Sequence, residues 1–257
     1  LENSNEINHD FQDFTKFFKD NQLGSNSNEL KFLLKLISKI SNNHIRQANF
    51  IDKIEQVLLF MKDHLLKQIS NLDILTIFKN NRRILLFLLK KEIVKLDKSN
   101  IYLIYDHCHF FYPEIQSIID DKFLKSIEKE ILKLDSDKFE SNRQLGENES
   151  IICSLIRNDS VIDFIAHVNR LSIPLSSEIK HSIFETNKFL IKMENTSLIE
   201  YAAFYGSIEI FQYLLLNNVE FKSSLWLYSI HGRNAEIIHL LEENHVELPN
   251  NSFYKLI

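Results

Sequence analysis

The sequence predicts an all-α protein, with an N-terminal helical array leading into a solenoid of short helix-turn-helix units. Three observations predict it. The 257 residues include only 4 Gly and 3 Pro, where average usage gives about 18 and 13; hairpins and β-sandwiches need such turn residues, so helices joined by polar turns remain. Apolar residues recur three and four apart along most of the chain, the spacing of one helix face. Residues 197–221 also recur without a gap, 27 positions later, as 224–248, and a fixed period of this size marks units that bury their apolar faces only against neighbours.

The bulk composition narrows the class further. Hydrophobic residues make up 44% and charged residues 25%, the balance of a folded chain rather than a disordered one. Net charge is −5 and the pI about 6.1, which argues against a dedicated nucleic-acid binder. The short basic clusters Arg82-Arg83 and Lys90-Lys91 read as solvated helix faces balanced by nearby acids. Two cysteines, Cys108 and Cys153, do not make a disulfide framework in a chain this long. They point to a reducing, intracellular compartment, with the cytoplasm as default. The longest apolar run, Ile84 to Leu89, is far short of the ~20 residues that span a bilayer, so membrane insertion is not expected. The first residues are polar and show no signal peptide.

The elements follow in order. Residues 1–10 are polar and expected to fray. Phe11, Phe14, Phe17 and Phe18 recur at helical spacing. Gly24 to Asn28 reads as a turn, with Asn28 placed to cap a helix carrying Leu30, Leu33, Leu34, Ile37 and Ile40 on one face. Ile54, Val57, Leu58, Met61 and Leu65 form the next stripe. Asn71 to Phe78 and Arg82 to Leu89 read as two short helices, and Asp106 to Pro113 as a loop, because Pro disfavours helix in the residue before it. Gln116 to Leu134 returns to helical spacing. Asp135 to Asn148 is the most polar stretch and the expected boundary between an N-terminal array (1–140) and a repeat region (141–257).

Within the repeat region, each unit divides into two helices. Ser197 to Phe204 is the first, with small Ala202 and Ala203 where helices approach closely. Gly206 can take the left-handed conformation that ends a helix. Ile208 to Leu216 is the second, with Ile210, Phe211, Leu214 and Leu215 as its apolar face. Residues 71–96 and 150–175 align less closely with the same unit. Leu72 falls on Leu198 and Leu88-Leu89 on Leu214-Leu215; these are expected to be degenerate repeats at most.

These residues resemble the ankyrin repeat. Ala202-Ala203, Gly206, Glu209-Ile210 and Leu214-Leu215 fall on matching positions; Ser197 stands for the family's Thr and Glu200 replaces its His. The second unit matches through Glu236-Ile237 and Leu241, departs at Ser229-Ile230, and has Gly232 one place early. The period is 27 rather than the ~33 of ankyrin repeats, which implies a shortened finger between units. Segments such as Leu198 to Ser207 and His239 to His245 further resemble a domain of unknown function found beside ankyrin repeats in trichomonad protist proteins. The resemblance implies further repeats beyond this chain. It also implies protein binding through the concave surface lined by the ends of the first helices. Phe204, Tyr205 and His231 fall there, and Trp226 is an additional aromatic candidate, although its position matches a buried Leu.

Catalytic readings are weaker. His107-Cys108-His109 is the densest ligand-type cluster, but a structural zinc site wants four ligands, commonly as separated pairs, and the second pair is missing. Cys153 sits in an apolar helical stretch, a poor setting for a nucleophile. No phosphate loop, dinucleotide fingerprint or hydrolase elbow occurs. The expectation is a non-catalytic protein-binding module without cofactor, metal or small-molecule substrate. Two alternatives stand beside it: an adaptor whose N-terminal helices recruit a cellular machine, and a metal or thiol enzyme centred on residues 107–109.

Overall fold

In the computed structural model, residues 2–43, 49–131, 136–193 and 195–248 are described. All regular structure among them is helical apart from one isolated antiparallel bridge between Glu178 and Ser197. The protein is all-α. The chain divides into two compact units, residues 1–147 with 186–189, and residues 148–185 with 190–257.

The first unit begins with three long helices, α1 (Glu2–Asp20), α2 (Ser27–Asn43) and α3 (Phe50–Gln68). The polar first residues, expected to fray, belong to α1 from Glu2 on. The aromatic stripe of α1 closes on α3: the rings of Phe11, Phe14 and Phe18 meet Phe60 edge-on at 5.4–6.2 Å between centroids. The turn before α2 is capped by Asn26 rather than Asn28, the Asn26 side chain accepting from the Asn28 N–H at 2.9 Å. Leu30, Leu34 and Ile37 of α2 and Ile54, Leu58, Met61 and Leu65 of α3 are buried, as their spacing requires. Ile40, on the expected apolar face, is instead 41% exposed.

Two short helices follow, α4 (Asn71–Phe78) and α5 (Arg82–Lys90). Ser70 caps α4 through the Asp73 N–H and Asn81 caps α5 through the Ile84 N–H. The cap places α4 one residue away from the alignment that puts Leu72 on Leu198: Leu72 is 49% exposed and Leu198 1%. The Ile84–Leu88 run is buried throughout. Arg82 and Arg83 are not solvated. Arg82 is buried over the Phe110 ring, and Arg83 reaches Glu55 at 2.6 Å.

Asp106 to Pro113, expected as a loop, is partly helical. A 3-10 helix (Ile101–His107) runs into it, and α6 (Tyr112–Ile115) starts with Pro113 in its first turn, where the missing N–H has no intrahelical partner to lose. Phe110, Phe111 and Ile115 are fully buried there. Then come α7 (Asp121–Ile131) and α8 (Ser136–Leu145). Of the polar stretch from Asp135 to Asn148, Asp135 lies outside the described residues, and the rest is mainly a helix, pinned by a buried charge. Arg143 donates to Glu114 (2.6 and 3.0 Å), to Glu140 (2.5 and 3.2 Å) and to the Phe110 carbonyl (2.9 Å).

The second unit is built from three helix pairs: α9 (Ile151–Arg157) with α10 (Val161–Leu171), α12 (Leu198–Tyr205) with α13 (Ile208–Leu216), and α14 (Leu225–Gly232) with α15 (Ala235–Glu243). The short α11 (Lys188–Lys192) lies between the first two pairs in sequence. First helices pack on first helices, α9 on α12 and α12 on α14; second helices do likewise, α10 on α13 and α13 on α15. Asp159, Gly206 and Arg233 end or follow the three first helices with φ of 49°, 69° and 52°. After the second helices, Ser172, Asn218 and His245 repeat the left-handed conformation with φ of 50°, 59° and 51°. The residue after each returns its N–H to the helix: Ile173 to the Val168 carbonyl, Val219 to Leu214, and Val246 to Leu241. That bond closes the helix end and satisfies an otherwise orphaned carbonyl. α5 ends the same way, Glu92 at φ 55° with Ile93 donating to Leu88.

Candidate partner-binding surface

The ends of the first helices are positioned by bonds that run from each helix pair to the next. Ser197 and Glu200 form a reciprocal cap: Ser197 Oγ and N–H donate to the Glu200 carboxylate at 2.7 and 2.8 Å, and the Glu200 N–H returns to Ser197 Oγ at 3.4 Å. The other Glu200 oxygen accepts from Ser224 Oγ of the following pair at 2.5 Å. Glu200 is 4% exposed, so all its bonding capacity goes to tying two N-termini together.

The turns are tied as well. The Asp159 carboxylate accepts the Glu209 and Ile210 N–H groups, both at 3.0 Å, and so caps α13 from the preceding pair. Ser207 donates to the Ile156 carbonyl at 2.5 Å. Asn234 donates to the Gly206 carbonyl at 2.9 Å while its oxygen accepts from Glu236 and Ile237. A Cβ on Gly232 would overlap the Ala203 carbonyl oxygen, so the close approach of α14 to α12 demands glycine there. Cap residues of this kind are visible in a sequence as Ser, Asp and Asn at turns; which neighbouring helix they serve is not.

The aromatic candidates sit on this frame. Phe204 is buried, with its ring 5.1 Å from Tyr205 and 5.6 Å from His231 of the next pair. Tyr205 and His231 are half-buried, and burial, with the nearby Arg233 charge, holds the His231 imidazole below its ordinary pKa. Trp226 is half-buried and donates its indole N–H to the Val246 carbonyl at 3.0 Å. Three of the four residues, Phe204, Tyr205 and His231, therefore form one row of ring contacts, edge-on and tilted; Trp226 is tied to the residues after α15. Ile230, which the sequence does not single out, is 38% exposed beside His231 in α14.

The side chains of His107, Cys108 and His109 have separate surroundings. Cys108 is buried and turned to the Ile104 carbonyl, and burial, with Asp106, pushes its thiol pKa up. His109 reaches Glu130 at 2.7 Å. His107 is held low by burial and by Arg82. Among the described residues, no three His, Cys, Asp or Glu side chains stand together as a metal site. Cys153 is fully buried and pushed up to about 11 by burial, a thiol rather than a thiolate at neutral pH. Two open depressions in the first unit, about 370 and 410 Å³, share Ser117 and Ile118 in their walls.

No family model, curated protein or solved structure matches the chain. Among the described residues, no helix is long and apolar enough to cross a membrane.

Proposed function

We propose that the protein is a non-catalytic protein-binding module whose second unit is a short-period, ankyrin-like solenoid. The observation that carries this reading is the recurrence of one turn geometry: left-handed residues at 159, 206 and 233, in turns that Asp159, Ser207 and Asn234 join by hydrogen bonds to a neighbouring pair. Repeats tied in this way present a continuous, rigid face made of the ends of successive first helices. Tyr205, Ile230 and His231 line that face, with buried Phe204 against the His231 ring; Trp226, at the other end of α14, lies apart from it. A partner docks by shape, with a few aromatic and aliphatic anchors. The resemblance to trichomonad ankyrin-associated domains supports the same reading, which rests on fold-level analogy.

Proximity labelling, followed by pull-down with the full chain, tests it. A reproducible protein partner is expected, with its capture lost in Ile230→Asp and Tyr205→Ser and retained in a surface change on the second helices such as Glu209→Gln. Failure to recover any partner, or capture indifferent to the first-helix changes, would overturn the reading. The division into two compact units also favours an adaptor, in which the first unit holds a second partner. That version expects a further partner whose capture survives both first-helix substitutions.

A further inference from the structure

The chain crosses between the two units three times, after residues 147, 185 and 189, because residues 186–189 belong to the first unit. A free tether between units is exposed and polar, often with Gly or Pro. These crossings are of another kind. Phe184, Glu185, Thr186, Asn187 and Leu190 are buried, as is Asn148. The third crossing falls inside α11, whose hydrogen-bonded turn has no slack to give.

The first two crossings are bonded to each other in both units. In the first unit, the Gly146 carbonyl accepts from the Thr186 N–H at 3.1 Å and from Thr186 Oγ1 at 2.8 Å. In the second, the Asn148 N–H donates to the Glu185 carboxylate at 3.3 Å, and the Asn148 side chain donates to the Lys180 carbonyl at 2.8 Å. Each tie is anchored at a helix. Gly146, at φ 68°, closes the end of α8 by donating to the Asn142 carbonyl at 2.8 Å. The Asn148 side chain accepts the Ser150 N–H at 3.0 Å, just before α9. The Asn148 carbonyl accepts from Arg157 at 2.9 Å, and the same guanidinium nitrogen donates to the Tyr201 hydroxyl of α12 at 2.9 Å. Gly146 and Asn148 are two residues apart, and Glu185 and Thr186 are adjacent. The two ties are therefore joined by about 7 Å of chain on one crossing and about 4 Å on the other, too little to absorb the opening of either.

We propose that residues 184–190 are a strap that couples the opening of the two units, so that loosening the Gly146–Thr186 tie loosens α8 in the first and α9 in the second together. Stability lent to one unit by a bound molecule is then shared by the other, a reciprocal coupling. The strap acts without any partner, so it stands independently of the protein-binding reading.

Native-state hydrogen exchange of the full chain tests it, with circular dichroism as the folding control. Thr186→Val removes the hydroxyl and keeps the shape and the N–H. Exchange should quicken about fivefold in α8 and in α9 alike, the worth of one net hydrogen bond, and stay at the wild-type rate in α3 and α15. Thr186→Ser keeps the hydroxyl and should exchange as the wild type does. Asn148→Ala cuts the tie on the other side; it should quicken α8 as well as α9. Quickening confined to α8 in Thr186→Val, or to α9 in Asn148→Ala, would reduce each tie to a local bond and overturn the proposal. So would exchange unchanged in Thr186→Val, or quickened as much in Thr186→Ser.

Discussion

The two units solve the same problem with different materials. In the first, three long helices of 17–19 residues and several of 4–11 gather without repetition around one irregular core, from Phe18 through Phe111 to Ile127. Its polar stretch is held by a single buried guanidinium. In the second, short helices of 7–11 residues repeat a turn, and hydrogen bonds at each turn reach the next pair. The first unit therefore concentrates its specificity in a few side chains without repetition, whereas the second distributes it over equivalent positions. A change in the first should act on the whole unit; a change in the second should act on a pair and its neighbours.

The largest effect is expected at Arg143. The side chain is 2% exposed and serves Glu114, Glu140 and the Phe110 carbonyl, with Phe110 and Phe139 against its faces. Arg143→Ala leaves a carboxylate and a carbonyl short of their partner and opens a void, a loss of about 3–5 kcal/mol. Urea unfolding followed by hydrogen exchange should show protection falling in α5, α6 and α8 together. Loss confined to α8 would break the contrast, because the first unit would then also behave as separable pieces.

Next comes Gly232→Ala. The added methyl meets the Ala203 carbonyl of the preceding pair, backbone that cannot rotate away, at a cost of about 2–3 kcal/mol. Protection should fall in α12, α14 and α15 and stay unchanged in α2 and α3. A uniform loss over both units would remove the distinction between local and global coupling.

These two sites also show what a sequence can and cannot display. Ser197, Gly206 and the 27-residue period are legible because caps and left-handed turns demand particular residues at particular steps. The helices of the first unit are legible from their spacing. Arg143 is not, because a buried arginine and a solvated one look alike until the folding of α6 brings Glu114 to it. Arg82 is misleading for the same reason: its partner, the Phe110 ring, lies 28 positions away in sequence. Among the surface candidates, Phe204, Tyr205 and His231 share a row because of repeat spacing, while the exposure of Ile230 depends on helix contacts that periodicity does not resolve.

A smaller effect separates the units by pH. Burial pushes the Glu140 carboxyl up, but hydrogen bonds from Lys90, Arg143 and Gln144, with the Arg143 charge, outweigh it and bring the pKa down to about 2 from an ordinary 4.5. A depressed folded-state value adds stability that is complete above 4.5 and disappears as pH falls toward 2. Since Glu140 is nearly half exposed, solvent screens the gain to about 1 kcal/mol at most. The urea midpoint of the first unit should fall between pH 4.5 and 2, and Glu140→Gln should flatten that slope. An unchanged slope in the variant would assign the acid sensitivity to other carboxylates.

The smallest effect should be shared by both units, which makes it the sharpest control on the comparison. Arg233 and Glu92 each end a helix with φ near 50°, at 52° and 55°, one in each unit. A left-handed backbone costs an L-residue about 1–2 kcal/mol. Glycine removes that strain but loses more freedom on folding, so Arg233→Gly and Glu92→Gly should each stabilise by about 0.5 kcal/mol net. The strain belongs to each residue's own backbone, so repeat and irregular core should respond alike in thermal unfolding. Gains that differ between the units by more than about 1 kcal/mol, beyond the few tenths expected of independent local changes, would mean that the turns are coupled to their surroundings. The contrast drawn from Arg143 and Gly232 would then rest on the turns as much as on the buried contacts.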